Sequence, residues 1–247
     1  MPVTHQLKIT MTNLKTILCL ALLGAILSNC GNRKSNEDNT QSSEEVQLEA
    51  KLDDGWEYPF DGKTMNGWEK LGGDATYHIE KDMIFGTTAA VSDTSNSFLV
   101  TKKFYDNFEL EFEVILDLAP KNYHNSGVQI RSHSLPEFRN GLVHGYQVEI
   151  DPDTTARSGG IYDEGRRGWV HDLSDNPEAK KAYKLGEWNS FRVVANGPSI
   201  KTWLNGIPAA DYVDSMTATG FIGLQVHATD SDKPLQIKWR NIRVKAL

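Results

Sequence analysis

The chain has 247 residues and a net charge of −7; 24% of its residues are charged and 39% are hydrophobic. This composition excludes a polytopic membrane protein and a disordered chain, and the lack of clustered Lys or Arg argues against nucleic-acid binding. Two cysteines are too few for a disulfide framework.

The first thirty residues resemble the signal of a bacterial lipoprotein. Lys8 and Lys15 precede an apolar run at residues 17–27 that is too short to span a bilayer, and Cys30 follows it. In such a signal, cleavage occurs before the cysteine, whose sulfur then carries a lipid. We therefore predict a signal peptide at residues 1–29 and a lipidated Cys30. The alternative is ordinary secretion, and either Met1 or Met11 is the start.

The predicted signal implies an exported protein that is lipid-anchored to the bacterial cell envelope, in the periplasm or at the cell surface. The membrane would be contacted only through the lipid. Residues 31–50 contain no aromatic side chain and are rich in Asn, Ser and Glu, whereas all six Trp lie after residue 55. Because such a composition cannot bury enough apolar surface to fold, we predict a disordered tether at residues 30–51 and one folded domain at residues 52–247.

Period-two patterns dominate the predicted domain. In residues 107–117, apolar side chains at every second position alternate with mostly acidic ones, as in a half-buried strand. Similar patterns predict strands at residues 77–86, 97–102, 127–132, 146–151, 191–195, 200–204, 221–228 and 235–244. Only residues 176–183 have a helical pattern, with Asn176 as the N-cap and Pro177 next. The fold class is therefore all-β, an antiparallel β-sandwich of the jelly-roll type.

The same alternation shows which side chains leave the core. Three predicted strands direct amide, carboxylate, guanidinium and imidazole groups to one side, where plain solvated residues would be usual. These side chains are Gln129 and Arg131, then Gln147, Glu149 and Asp151, and finally Gln225 and His227. Such groups bind polyols and move protons, so together they predict a site, although a cross-strand pair of Glu149 with Arg131 is the simpler alternative.

Residues 158–169 form a second informative segment, with four Gly among twelve residues. Tyr162, Glu164, Arg166 and Trp169 stand in it. An aromatic ring beside charged groups suits a sugar, whose apolar faces stack on the ring while its hydroxyls pair with the charges. The alternative is a surface hairpin stabilised by internal ion pairs.

Eight short motifs, in this order, resemble the 3-keto-disaccharide hydrolase family over residues 54–246. They are FDGKTMNGW from Phe60, NSGVQIR from Asn125, GYQVEID from Gly145, GGIYD from Gly159, WN at Trp188, WLNG from Trp203, GLQVH from Gly223 and NIR from Asn241. The resemblance implies a concanavalin A-like lectin/glucanase sandwich, in agreement with the strand pattern. It also implies activity on glycosides whose C3 hydroxyl has been oxidised to a ketone.

The implied reaction begins with removal of the C2 hydrogen, which the C3 ketone acidifies, and continues with loss of the C1 aglycone. It needs a base, a group that stabilises the enolate and an acid. We assign Glu149 or His227 as the base, the other as the acid, and Arg131 as the enolate stabiliser. A divalent metal held by Glu149, Asp151 and His227 is an alternative electrophile.

The remaining residues of the hypothesis bind the oligosaccharide or glycoside substrate: Gln129, Gln147, Asp151, Tyr162, Glu164, Arg166 and Trp169. Two other functions stay open. One is a non-catalytic carbohydrate-binding module tethered at the cell surface, because the same sandwich serves lectins. The other is an ordinary glycosidase, which needs two carboxylates about 5 to 10 Å apart, here Glu149 with Glu164.

Overall fold

The period-two patterns become strands in the computed structural model, which describes residues 54–89, 95–117, 125–153 and 155–247. The elements, in chain order, are β1 (Trp56–Glu57), β2 (Trp68–Gly72), β3 (Thr76–Glu80), β4 (Met83–Thr87), β5 (Ser97–Thr101), β6 (Phe108–Leu116), β7 (Ser126–Ser134), β8 (Val143–Ile150), β9 (Ile161–Glu164), β10 (Gly168–His171), a 3-10 turn (Ala179–Lys181), β11 (Asn189–Asn196), β12 (Ser199–Leu204), β13 (Ile207–Val213), β14 (Phe221–Val226) and β15 (Gln236–Ala246).

These strands form two antiparallel sheets. The order in the eight-stranded sheet is β13-β12-β11-β6-β15-β4-β3, with β1 paired to β15, and the order in the seven-stranded sheet is β10-β9-β8-β7-β14-β5-β2. Non-consecutive neighbours such as β6 with β15, and β7 with β14, give the long crossovers of a jelly roll. The predicted all-β sandwich is confirmed.

The core lies between the sheets and is supplied by alternate residues of each strand. Along β6, buried side chains alternate strictly with half-buried ones. Phe112 faces Phe191 across β6 and β11, and their stacked rings have centroids 5.0 Å apart. Val148 and Leu224 contribute to the core from the other sheet. Since burial of each such side chain stabilises the fold by about 1.5–3 kcal/mol, the sandwich is held mainly by this layer.

A β-bulge in β7 overturns one prediction. The register between β7 and β8 shifts after Ile130, and Arg131 has a φ of +47°. The extra residue reverses the alternation, so Ser132, and not Arg131, lies beside Gln129, to whose Oε1 the Ser132 hydroxyl donates at 2.7 Å. The expectation that Arg131 and Gln129 share one face is therefore wrong.

The Arg131 guanidinium instead extends to the other sheet. It donates to the backbone carbonyls of Asp106 and Gly197, each at 2.7 Å, and to the Oδ1 of Asn107 at 3.1 Å. Asp106 and Asn107 precede β6, and Gly197 lies in the turn between β11 and β12. A buried guanidinium with three acceptors joins the two sheets at this end of the sandwich.

Other predictions were right in part. The pattern at residues 77–86 is a hairpin of β3 and β4, because Lys81 and Asp82 adopt positive φ angles between the strands. In place of the helix predicted at residues 176–183, the structure has only the 3-10 turn. Asn176 still acts as a cap, because its Oδ1 accepts a hydrogen bond from the N–H of Ala179. The Gly-rich segment at residues 158–169 contains most of a second hairpin, β9 with β10.

The predicted signal peptide, Cys30 and tether lie outside the described residues, so these predictions and the boundary at residue 52 stay predictions. Within the part of the chain that the structure describes, no helix is long and apolar enough to cross a membrane.

Candidate functional site

The face of the seven-stranded sheet that is turned away from the core carries a set of polar and ionisable side chains. On β8, Val148 and Ile150 enter the core, so Gln147 and Glu149 lie on the opposite side. Neighbouring strands present matching side chains, because paired strands keep side chains of one face together. We call this set the polar face; its members are Gln129, Gln147, Glu149, Tyr162, Glu164 and Gln225.

A directed series of hydrogen bonds crosses the polar face and ends at Glu149. The Ser132 hydroxyl donates to Gln129, the Gln129 amide donates to Gln147 at 2.6 Å, and the Gln147 amide donates to the Oε2 of Glu149 at 2.8 Å. All four side chains are buried. Because each amide has its oxygen occupied by the preceding donor, its N–H₂ is directed at the next group. The series therefore fixes the position of the Glu149 carboxyl.

Gly127 makes room for this series. It lies opposite Glu149 in the pairing of β7 with β8. A Cβ at this position would lie 2.3 Å from the Cδ of Gln147. Only glycine lets the Gln147 side chain lie flat across the sheet towards Glu149.

Burial raises the pKa of Glu149 to about 8, against the opposing effect of the hydrogen bond from Gln147. The nearby carboxyls of Asp151 and Glu164 raise it further. Desolvation favours the neutral form of an acid, so Glu149 keeps its proton at neutral pH and can donate it.

Glu164, on β9, is the second carboxyl of the polar face. Burial raises its pKa to about 7, and a hydrogen bond from the side chain of Asn96 opposes this increase. The register places the Gln147–Tyr162 pair between Glu164 and Glu149. Two carboxyls with raised pKa values on one face can act as a proton donor and a proton acceptor near neutral pH.

Gln225, on β14, completes the face beside Glu164. Its Nε2 lies 3.4 Å from the Oε2 of Glu164, and the side chain is fully buried. Its Oε1 is buried and has no hydrogen-bond partner among the described residues. A buried acceptor without a partner is costly.

An aromatic wall adjoins the two carboxyls. Tyr162 meets Trp169 edge to face, with centroids 5.2 Å apart. The guanidinium of Arg157 lies 4.3 Å from the centre of the Trp169 ring and donates to the Oδ2 of Asp151 at 3.0 Å. Burial raises the pKa of Tyr162, so its hydroxyl stays neutral and can donate a hydrogen bond. Asp151 serves here to hold Arg157 in place.

Arg166 lies away from the polar face. It donates to the Oδ1 of Asp163 and to the Oγ1 of Thr217, each at 2.7 Å. Arg167 also bonds to Asp163, and it pairs with Asp214 at 2.6 Å. The buried Asp163 thus fixes the β9–β10 hairpin to the connection between β13 and β14. This part of the segment is the hairpin with internal ion pairs, and Arg166 is not among the groups gathered around Glu149.

His227 follows the last residue of β14 and is half-buried. Its Nδ1 lies 2.5 Å from the carbonyl oxygen of Ala228. Since a carbonyl only accepts, Nδ1 carries a proton, and in the neutral ring Nε2 is left as an acceptor. This bond fixes the orientation of the ring without joining it to Glu149.

Sequence reasoning missed several groups of the site. It placed Gln225 on the correct side by alternation but gave it no role. Arg157 and Asn96 carry no signal of their own, since each reaches the site from a loop. No group of three His, Cys, Asp or Glu side chains within the described ranges could hold a metal ion. Glu149, Asp151 and His227 do not form such a group. The Oδ2 of Asp151 instead accepts a hydrogen bond from Arg157, so these residues do not fit a divalent metal.

Comparisons with known proteins agree with this fold. The model of the 3-keto-alpha-glucoside-1,2-lyase-like domain matches residues 55–245. None of the curated proteins matches the chain.

Solved structures share the sandwich at low sequence identity. One is described as a candidate glycosyl hydrolase from Parabacteroides distasonis (20% identity, TM-score 0.57, covering 81% of this chain and 97% of that one). Another is the carbohydrate-binding module CBM66 from Bacillus subtilis, with 16% identity and a TM-score of 0.54; the match covers 74% of this chain and 98% of that one. A third is a protein of unknown function with a galectin-like fold from Bacillus subtilis, with 11% identity and a TM-score of 0.50; the match covers 73% of this chain and 90% of that one. The family match spans the whole described sandwich, and the chain belongs to the family of the 3-keto-alpha-glucoside-1,2-lyase-like domain.

Proposed function

We propose that this protein cleaves glycosides that carry a ketone at C3, by eliminating the C1 substituent. The observation that carries the proposal is the pair of carboxyls on the polar face. Glu149 and Glu164 have pKa values of about 8 and about 7. Burial raises both pKa values towards neutral, so each carboxyl can exchange a proton near neutral pH, as an elimination needs. Membership of the family supports the choice of substrate.

In the proposed reaction, the Glu164 carboxylate removes the C2 proton, and the C–H electron pair forms an enolate with the C3 oxygen. The enolate then expels the C1 oxygen: the C1–O bond breaks, a C1–C2 double bond forms and the ketone is restored. Glu149 gives its proton to the departing oxygen. Addition of water across the new double bond, with oxygen on C1 and hydrogen on C2, completes a net hydrolysis.

Tyr162 is suited to stabilise the enolate. Tyr162 lies between Glu149 and Glu164 in the strand register, and a neutral hydroxyl donor lowers the energy of a developing oxyanion. We assign this role to Tyr162 in place of Arg131, whose donors are occupied at the far sheet. His227 would bind a sugar hydroxyl, and Trp169 would contact an apolar face of the ring.

The test is mass spectrometry of products from a 3-keto-disaccharide and from its unoxidised parent, both incubated in D₂O. We expect cleavage of the keto substrate alone, with one deuterium at C2 of the hydrated product. Glu149→Gln and Glu164→Gln should each lower kcat/KM by at least about 100-fold. The control Glu69→Gln, at an exposed position of β2, should leave it unchanged. Cleavage of the parent, or cleavage without deuterium, would contradict the elimination mechanism.

The second candidate is a non-catalytic carbohydrate-binding module. The observation that favours it is the aromatic wall beside a fully hydrogen-bonded polar series, which also suits sugar binding without chemistry. Under this function the wild-type protein would bind the keto-disaccharide, as measured by calorimetry, and release no product. An ordinary glycosidase would instead cleave the unoxidised parent.

A further inference from the structure

The outer side of the eight-stranded sheet contains a cleft that the proposed reaction does not use. Its volume is about 1000 Å³. Tyr58, residues 60–63 and Asp82 line one part of it, and residues of β6, β11, β12 and β15, together with Gly206, line the rest. We call it the outer cleft. Its size is at the upper end of the range of about 300–1,000 Å³ for small-molecule sites.

Ion pairs hold several charged side chains of the outer cleft in place. Arg243 donates to the Oε2 of Glu111 through Nε at 2.8 Å and through Nη2 at 2.5 Å, and Arg192 donates to Glu109 at 2.5 Å. Four acidic and three basic residues line the cleft, so the lining is close to neutral. Such a lining offers many fixed donors and acceptors without selecting a strongly charged ligand.

Two aromatic residues line the same cleft. Tyr58 is 57% exposed, and Trp203 is half-buried with the Arg192 guanidinium 4.4 Å from its ring centre. Partly exposed aromatic rings beside fixed polar groups suit a ligand with apolar faces and polar edges. A pyranose ring has both, since its C–H groups and its hydroxyls lie on different surfaces.

We propose that the outer cleft is a second carbohydrate-binding site, which takes a neutral oligosaccharide and is separate from the polar face. Tyr58 and Trp203 contact the sugar rings, and the Glu111–Arg243 pair bonds to their hydroxyls. This site holds a glycan on one sheet while the other sheet carries the proposed chemistry. It does not depend on that chemistry, because no member of the polar face lines the cleft.

The chain provides reporters for both sites. Trp203 lines the outer cleft, and Trp169 belongs to the aromatic wall of the polar face. Trp188 is a matched control: the Arg240 guanidinium lies 4.0 Å from its ring centre, as Arg192 lies over Trp203, but Trp188 does not line the cleft. NMR of full-length protein carrying ¹⁵N-tryptophan can follow the indole N–H signals of these three residues.

The experiment is a titration with maltohexaose, cellohexaose, laminarihexaose and xylohexaose, each to about 10 mM, enough to detect a millimolar Kd. We expect at least one of them to shift the Trp203 signal while the Trp188 signal stays in place. Trp203→Ala should weaken that binding by at least about tenfold, and Trp188→Ala by less than about twofold. Glu111→Gln offers a second test of the cleft that leaves Trp203 intact, and it should also weaken binding.

Three results would overturn the proposal. The first is a Trp203 signal that none of the four sugars moves. The second is a shift of Trp169 alone, which would place all binding on the polar face. The third is a Trp203 shift caused by a heparin hexasaccharide and by none of the neutral sugars, which would make the cleft a polyanion site.

Discussion

Glu149 is buried and accepts a hydrogen bond from Gln147, and these two features have opposite effects on the pKa of its carboxyl. Removal from water disfavours its charged form, whereas the Gln147 amide favours it, and burial is the larger effect. A carboxyl in this state affects both the pH dependence of activity and the pH dependence of stability. Each effect can be measured separately.

The proposed reaction predicts a bell-shaped dependence of kcat/KM on pH. Glu164 must be ionised, so activity rises through about pH 7; Glu149 must be protonated, so activity falls above about pH 8. A pH–rate profile with a 3-keto-disaccharide checks this. Glu149→Gln should remove the descending limb from the residual activity. A wild-type profile that keeps rising beyond pH 9 would show that no group has to hold a proton there.

Stability should fall as pH rises. The pKa of Glu149 is about 8 in the folded protein against 4.5 for an ordinary Glu. The folded state therefore binds this proton more tightly, and its contribution is complete below pH 4.5 and lost as pH approaches 8. The loss is about 1.4 kcal/mol per unit of pKa difference, several kcal/mol at most.

Glu149→Gln should therefore remove the part of the decline that Glu149 causes, because an amide has the same shape and does not ionise, while Glu164, whose pKa is also raised, keeps its own part. Urea unfolding at pH 5, 6.5 and 8 measures it. The variant should exceed the wild type in free energy of unfolding most at pH 8, and the exposed-site control Glu69→Gln should follow the wild type. Parallel curves for Glu149→Gln and the wild type would contradict the raised pKa.

At the scale of the element, the bulge in β7 decides what two neighbouring side chains do. Without it Arg131 would lie on the polar face; with it Ser132 begins the series that ends at Glu149, and Arg131 joins the sheets. One extra residue in a strand moves every later side chain to the opposite face of the sheet. The bulge therefore separates a structural cation from the proposed chemistry.

Arg131→Met should destabilise the protein without entering the chemical step. It removes the donor to the carbonyls of Asp106 and Gly197, whereas the Oδ1 of Asn107 keeps its bond from the N–H of Gly197, and we expect a loss of at least about 3 kcal/mol in urea unfolding. The folded variant, assayed at low temperature, should keep the kcat of the wild type. A kcat that falls more than about tenfold while the protein is folded would return Arg131 to the reaction. Arg139→Met, at an exposed position, is the control for loss of one arginine.

At the scale of the whole molecule, the two sheets carry two separate candidate sites. The polar face and the outer cleft lie on different sheets and share no lining residue. A tether at residues 30–51 would let both surfaces reach a glycan near the cell envelope.

We propose that Cys30 carries the lipid that anchors the protein. Mass spectrometry of the mature N-terminus should find a diacylglyceryl cysteine, and the protein should fractionate with membranes. Cys30→Ser should release it into the soluble fraction, whereas Cys19→Ser, inside the predicted signal, should leave it membrane-bound. An unmodified mature N-terminus beyond residue 30 would support ordinary secretion instead.

The sequence by itself determined the sandwich and most members of the polar face. Period-two alternation is a local property, so it placed Gln147 and Glu149 on one side of β8 and Gln225 on the matching side of β14. The order of eight motifs indicated the family for the same reason, since each motif is a short local sequence.

Only the tertiary structure decided which of these groups meet. The register between strands put the Gln147–Tyr162 pair between Glu149 and Glu164, and a bulge moved Arg131 to the other sheet. Arg157 reached the site from a loop, and its bond to Asp151 excluded that carboxylate from a metal set. Alternation fixes the side of a strand that a residue faces, but contacts depend on register, bulges and loop paths, which are set by packing between distant segments.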